Sequence, residues 1–71
     1  MSSPRILSIL MPIYNERAYL RRVLERILAV PLPENMAREI VAVDDASTDG
    51  SREYLRELAA QYPGVLRDFY Q

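Results

Sequence analysis

Two short apolar runs, each stopped by a residue ill suited to continuing a strand, limit what this chain can fold into. In "RILSILMP" the residues Ile6, Leu7, Ile9, Leu10 and Met11 are interrupted only by Ser8 before Pro12, and in "EIVAVDD" the segment from Glu39 to Val43 breaks at Asp44. Such runs, without polar alternation, read as strands buried on both faces, as in parallel sheets. Strand one is therefore expected over Arg5 to Met11, stopped by Pro12, and strand two over Glu39 to Val43. Between them Leu20, Val23, Leu24, Ile27 and Leu28 recur at helical spacing, with Arg17, Arg21, Arg22, Glu25 and Arg26 on the opposite side. This predicts a helix from Glu16 to Ala29, capped by Asn15 and ended before Pro31. After strand two, Ser47 to Ser51 offers several capping side chains, and Tyr54, Leu55, Leu58, Ala59 and Tyr62 line one face of a second helix that Pro63 and Gly64 close. Val65, Leu66, Phe69 and Tyr70 open a third strand.

Strand, helix, strand, helix and strand in that order is the pattern of right-handed crossover units, so the fold class is α/β with a parallel sheet. Both helices then cover one face, leaving the other face and the outer edge of strand one bare. A chain of 71 residues buries only about 60% of its unfolded surface, which makes a sizeable core unattainable. Residues 1–71 are accordingly read as the amino-terminal part of one larger domain.

Composition narrows the chemistry. Cysteine and histidine are both absent, which removes disulfides, thiolate metal sites and the commonest general base; any metal would be held by oxygen. Nine arginines against ten carboxylates leave a net charge of −1, so no overall field draws the chain to nucleic acid. "MSSPR" lacks the charged and apolar segments of a leader, and no apolar run approaches the roughly 20 residues that span a bilayer. The expected location is cytoplasmic.

In open α/β sheets ligands sit beyond the carboxyl ends of the strands. Two loops are expected there: "PIYNE", Pro12 to Glu16, and "DDASTDGS", Asp44 to Ser51. Neighbouring parallel strands would bring Tyr14, Asn15 and Glu16 close to Asp44 and Asp45. A tyrosine ring stacks on a base, and a carboxylate accepts from the ring N–H of uracil or the N–H edge of guanine, or from ribose hydroxyls. The residues themselves thus point to a nucleoside pocket, with Asp45 and Glu16 as the principal acceptors. For Tyr14, loop packing is the rival role. For Asp44, Ser47 and Asp49, capping of local amides outweighs ligand contact. Tyr19, Tyr54 and Tyr62 read as core or rim residues. The arginines of helix one read as a solvated face with Arg21 and Glu25 paired, membrane-phosphate contact being the alternative.

Other uses of the acidic stretch fit less well. Asp45, Ser47, Asp49 and Gly50 match the first half of a calcium-binding loop, but Arg56 stands where the bidentate glutamate is required, which excludes that function. A receiver domain also carries an acidic pair after a strand, yet nothing here stands for its later aspartate and lysine. A dinucleotide fold needs a Gly-rich turn after strand one, and "MPIYNERA" has none.

Taken together, "SILMPIYNERAYLRRVLERIL" followed by "EIVAVDDASTDGSREYL" resembles the amino-terminal part of the family 2 glycosyltransferases, closest in look to the polyprenyl- and dolichol-phosphate sugar transferases. The resemblance implies a GT-A, Rossmann-like nucleotide-binding domain. It also implies transfer of a sugar from a UDP- or GDP-sugar to an acceptor such as polyprenyl phosphate, with inversion. Pro12, Tyr14 and Glu16 correspond to the residues of the first loop that line the nucleoside site. Asp45 corresponds to the aspartate that contacts the base, with Asp44 and Asn15 in supporting roles.

The family's metal-binding D-x-D motif, its catalytic base and its acceptor segments come later than Gln71. The resemblance therefore implies Mg²⁺ or Mn²⁺ for the complete enzyme, no metal ligand and no catalytic group in these residues, and no transfer by this piece alone. The alternative function is a non-catalytic nucleotide-binding module that self-associates through the uncovered sheet face. Ala46 stands where the family has glycine, a strained choice if that position has positive φ.

Overall fold

A computed structural model describes residues 5–71. Met1 to Pro4, the start of the stretch inspected for a leader, lie outside the described residues. The elements are β1 (Arg5–Ile13), α1 (Arg17–Ala29), β2 (Met36–Asp44), α2 (Ser51–Gln61) and β3 (Leu66–Tyr70). The three strands form one parallel sheet in the order β1-β2-β3. This is the α/β class and connectivity expected from the apolar runs.

Strand β1 passes through Pro12, where a stop was expected, and ends at Ile13. Among the described residues β1 lies at one side of the sheet, with β2 as its neighbour. The Ile13 carbonyl accepts the Asp45 N–H at 2.9 Å, so Ile13 faces β2 and Pro12, one residue earlier, turns its donorless nitrogen away from β2. Strand β2 likewise starts earlier than expected, at Met36, and includes Asp44. Its register places Ile9 beside Ile40, Met11 beside Ala42 and Ile13 beside Asp44.

Those inward residues meet both helices on one face. Ile13, Leu24, Ile40, Leu55 and Leu58 are at most 2% exposed, and Leu20, Met11 and Leu66 complete the cluster. Helix α1 is closed by a side chain from β2: the Arg38 guanidinium donates to the carbonyls of Ile27 and Val30, which satisfies acceptors that a helix end leaves open. Helix α2 has Gly50 at its N-cap position, with φ of 93°. The positive φ favours glycine there; a Cβ at Gly50 would also meet the Arg17 side chain at 3.0 Å, a contact to which that exposed side chain could yield.

Among the described residues no helix covers the other sheet face. Ile6, Leu10 and Phe69 are 64%, 70% and 49% exposed there, with a Glu39–Arg67 ion pair of 3.4 Å beside them. Within α1, the Arg21–Glu25 pairing does not form; Arg21 Nε instead donates to the Tyr54 hydroxyl at 2.9 Å. Tyr54 and Tyr62 pack against the core, whereas Tyr19 is exposed.

Candidate functional site

At the carboxyl end of the sheet the two loops are joined by side chains of one bonding to backbone of the other. The Asn15 N–H donates to Ser47 Oγ at 2.9 Å, and Asn15 Oδ1 accepts the Thr48 N–H at 2.8 Å. Along the same pair of segments, the Glu16 N–H donates to Ser51 Oγ at 3.1 Å and the Arg17 N–H to Asp49 Oδ2 at 3.2 Å. Asn15 was expected to cap α1; its amide reaches across to the second loop, and Glu16 occupies the cap position with no side-chain bond.

Asp49 does more than cap its own helix. While Oδ2 takes the first N–H of α1, Oδ1 takes the Ser51 N–H at 3.0 Å, the first of α2, and also the Ser51 hydroxyl. One carboxylate therefore sits at the amino ends of two helices, where a negative charge is favoured. These bonds, the Ser51 hydroxyl foremost, hold the Asp49 carboxyl below its ordinary range.

The two adjacent aspartates have opposite fates. Asp44 is fully buried; its Oδ2 accepts the Ser47 N–H at 3.0 Å and lies 3.3 Å from Arg52 Nη1, while Oδ1 is buried with no partner. Arg52 also donates to the Gln71 carbonyl at 2.8 Å and lies over the Tyr70 ring at 5.1 Å. Burial, then a bond to Asp68, pushes the Tyr70 hydroxyl up to about 12. Asp45 is exposed, held only through its backbone N–H. The turn between them is made by Ala46, whose φ of 57° places alanine in the left-handed region that favours glycine.

Pro12, Tyr14, Glu16 and Asp45 all lie exposed on this rim, Tyr14 by 59%. Among the described residues no hydrogen bond or ion pair engages the carboxylates of Glu16 or Asp45. An exposed aromatic ring can stack on a planar ring, and an unengaged carboxylate can accept N–H groups. The described residues contain no cluster of three acidic, histidine or cysteine side chains that could hold a metal ion: Asp44 and Asp49 are committed to protein donors. Sequence reasoning assigned Ser47 and Asp49 to local capping, counted Ser51 among the possible caps of the second helix, and overlooked Arg52 and Arg38. The capping residue types were visible, but their cross-loop partners exist only once the strands are side by side.

Comparison with known proteins supplies the lineage. Residues 8–67 match the model of glycosyl transferase family 2. The chain belongs to that family. An undecaprenyl-phosphate 4-deoxy-4-formamido-L-arabinose transferase of Edwardsiella ictaluri is 45% identical over 84% of this family 2 chain, and its counterpart in Aeromonas hydrophila is 38% identical over 79%. An uncharacterised glycosyltransferase of a Nostoc species is 35% identical over 92%. Among solved structures, a mannosyltransferase from Pyrobaculum calidifontis, in complex with GDP-Man and Mn²⁺, is similar over 99% of the chain with a TM-score of 0.75 and 30% identity. The chain spans 17–19% of the length of these curated relatives and 20% of the mannosyltransferase. Its three-stranded parallel sheet is thus part of a GT-A fold.

Proposed function

We propose that this family 2 chain supplies the nucleoside-binding half of a nucleotide-sugar donor site, in a glycosyltransferase that acts on a UDP- or GDP-sugar. The observation that carries this reading is the division of labour at the rim. Asn15, Ser47, Asp49 and Ser51 hold the two loops together, so that Tyr14, Glu16 and Asp45 remain free for a ligand. In this reading Tyr14 stacks on the base, with Pro12 at the edge of the stack. Asp45 accepts a ring N–H, Glu16 accepts from ribose, and Asn15 and Asp44 support the loops.

The likeness to a mannosyltransferase with GDP-Man and Mn²⁺ supports a nucleotide-sugar donor and a divalent ion in the complete protein. The described residues do not fit such an ion, so Mg²⁺ or Mn²⁺ would have to be held from elsewhere. Relatives named for undecaprenyl phosphate support a polyprenyl phosphate acceptor. Inversion at the sugar is part of the same proposal, as is a place for the complete protein at the cytoplasmic face of a membrane. Among the described residues no helix is long and apolar enough to cross a membrane.

The test is titration of UDP and GDP into the chain and into Asp45→Asn, followed by amide chemical shifts. Weak binding is expected, with shifts confined to the two loops. Removing the charged acceptor should cost about 1.5–3 kcal/mol, roughly 10- to 100-fold in affinity. Equal affinity of the two proteins would remove Asp45 from the site. A second reading, a self-associating module, is favoured by the exposure of Ile6, Leu10 and Phe69 on one face; a mass that rises with concentration in sedimentation would support it.

A further inference from the structure

Helix α1 carries a feature that donor binding does not use. Arg17, Arg21 and Arg22 line an open groove of about 460 Å³ together with Ala18, Glu25 and Tyr54. Its charge is three guanidinium groups against one carboxylate, on a chain whose net charge is −1. Among the described residues the ion pairs are Arg52–Asp44 and Arg67–Glu39, so none of the three groove arginines is neutralised by a carboxylate at ion-pair distance. Two of them are held in place by one tyrosine: Arg17 lies 5.2 Å over the Tyr54 ring, and Arg21 bonds the Tyr54 hydroxyl. Arg26, a turn further along α1, is exposed as well.

Arranged donors of this kind suit phosphate oxygens, because the planar guanidinium fork engages two of them at once. We propose that the exposed side of α1 docks on a membrane surface rich in anionic phospholipid, with Arg17, Arg21 and Arg22 taking lipid phosphates in the groove. Charge complementarity selects a polyanionic occupant. A lipid surface is favoured over nucleic acid because the groove's one aromatic ring lies under Arg17 and packs against the core, a poor stacking platform for a base. The choice of lipid also draws on the polyprenyl phosphate reading, since an enzyme with a membrane-borne acceptor must work at that surface. Each basic residue contributes modestly, so the association is reversible and screened by salt.

The experiment is co-sedimentation of the chain with vesicles of phosphatidylcholine alone and of phosphatidylcholine with phosphatidylglycerol, without nucleotide, at low and raised salt. Binding to the phosphatidylglycerol vesicles alone, lost as salt rises, is expected. Arg22→Gln, whose side chain makes no described bond, should weaken it about five-fold, and Arg21→Gln with Arg22→Gln about twenty-fold or more. Arg67→Gln, on the opposite sheet face, should bind as the native chain does, and circular dichroism should show every variant folded. Equal binding to both vesicle types, no binding, or native binding by the double variant would overturn the proposal. So would abolition by millimolar inorganic phosphate at constant ionic strength, which would mark a small-anion site. Because nucleotide is absent, failure here leaves the donor-site reading intact, and loss of nucleotide binding in Asp45→Asn leaves this one intact.

Discussion

The helix-covered face of the sheet and the loop cluster at its carboxyl edge are held by different forces. Under the helices, Leu24, Ile40 and Leu55 are fully buried, and what they contribute is apolar area removed from water, which has no preferred direction. In the loop cluster the connections are hydrogen bonds that specific amides donate to the side chains of Asn15, Ser47, Asp49 and Ser51, and direction is everything. Asp44 and Asp45 straddle the boundary, one buried against Ser47 and Arg52 and the other exposed. The difference teaches that a site can leave carboxylates free for a ligand only where other polar groups already satisfy the backbone. The core sets the strand register, the register brings the loops together, and the loops release Glu16 and Asp45.

The comparison breaks most readily at the core. Leu24→Ala should lower the unfolding free energy by about 2–5 kcal/mol, measured by urea denaturation, and in a domain this small that approaches complete unfolding. Ser51→Ala acts on the other region. It leaves the Glu16 N–H without its acceptor and should cost about 1–3 kcal/mol, with the largest amide shifts at Glu16 and Arg17 and little change in the sheet. A stable Ser51→Ala with unmoved loop amides would refute the directional account of the rim.

Smaller effects sharpen the same contrast. Ala46→Gly relieves a left-handed φ at the turn between the aspartates and should raise stability by about 1 kcal/mol, read as a higher urea midpoint. The smallest effect is in the acid range. The Asp49 carboxyl is held below its ordinary range, so its bonds contribute above the unfolded value of about 3.9. That contribution is lost as pH falls through the lower folded value. Asp49→Asn should therefore be less stable than the native chain near neutral pH, with the gap closing in acid below the usual aspartate range. A gap independent of pH would show that the carboxylate charge has no part in holding the two helix ends.

Much of the fold was legible because apolar runs and helical spacing survive in any context. Met11, Ile40 and Ala42 read as buried strand, and Leu20, Leu24, Leu55 and Leu58 as helix stripes, and all of them pack into one cluster. Ile6, Leu7 and Leu10 of the first run, also read as buried, are exposed, Ile6 and Leu10 because no helix covers their side of β1 among the described residues. The strand ends were less legible. Pro12 continues β1 because its donorless nitrogen turns away from β2, a direction set by the pairing register and not by the local sequence. The rim was legible as a set of residue types, since "PIYNE" and "DDASTDGS" hold an aromatic ring, amides and carboxylates whatever surrounds them.

Local sequence by itself therefore determined the alternation of strand and helix, the α/β class and the chemistry at the strand ends, because each depends on neighbours a few residues away. Only the tertiary structure decided that Asn15 bonds Thr48, that Asp49 serves two helices, that Arg21 bonds Tyr54 and not Glu25, and that Ala46 sits at positive φ. Most of these are contacts across more than thirty positions of chain. Their partners become neighbours only after the apolar faces have collapsed and fixed the register of the sheet.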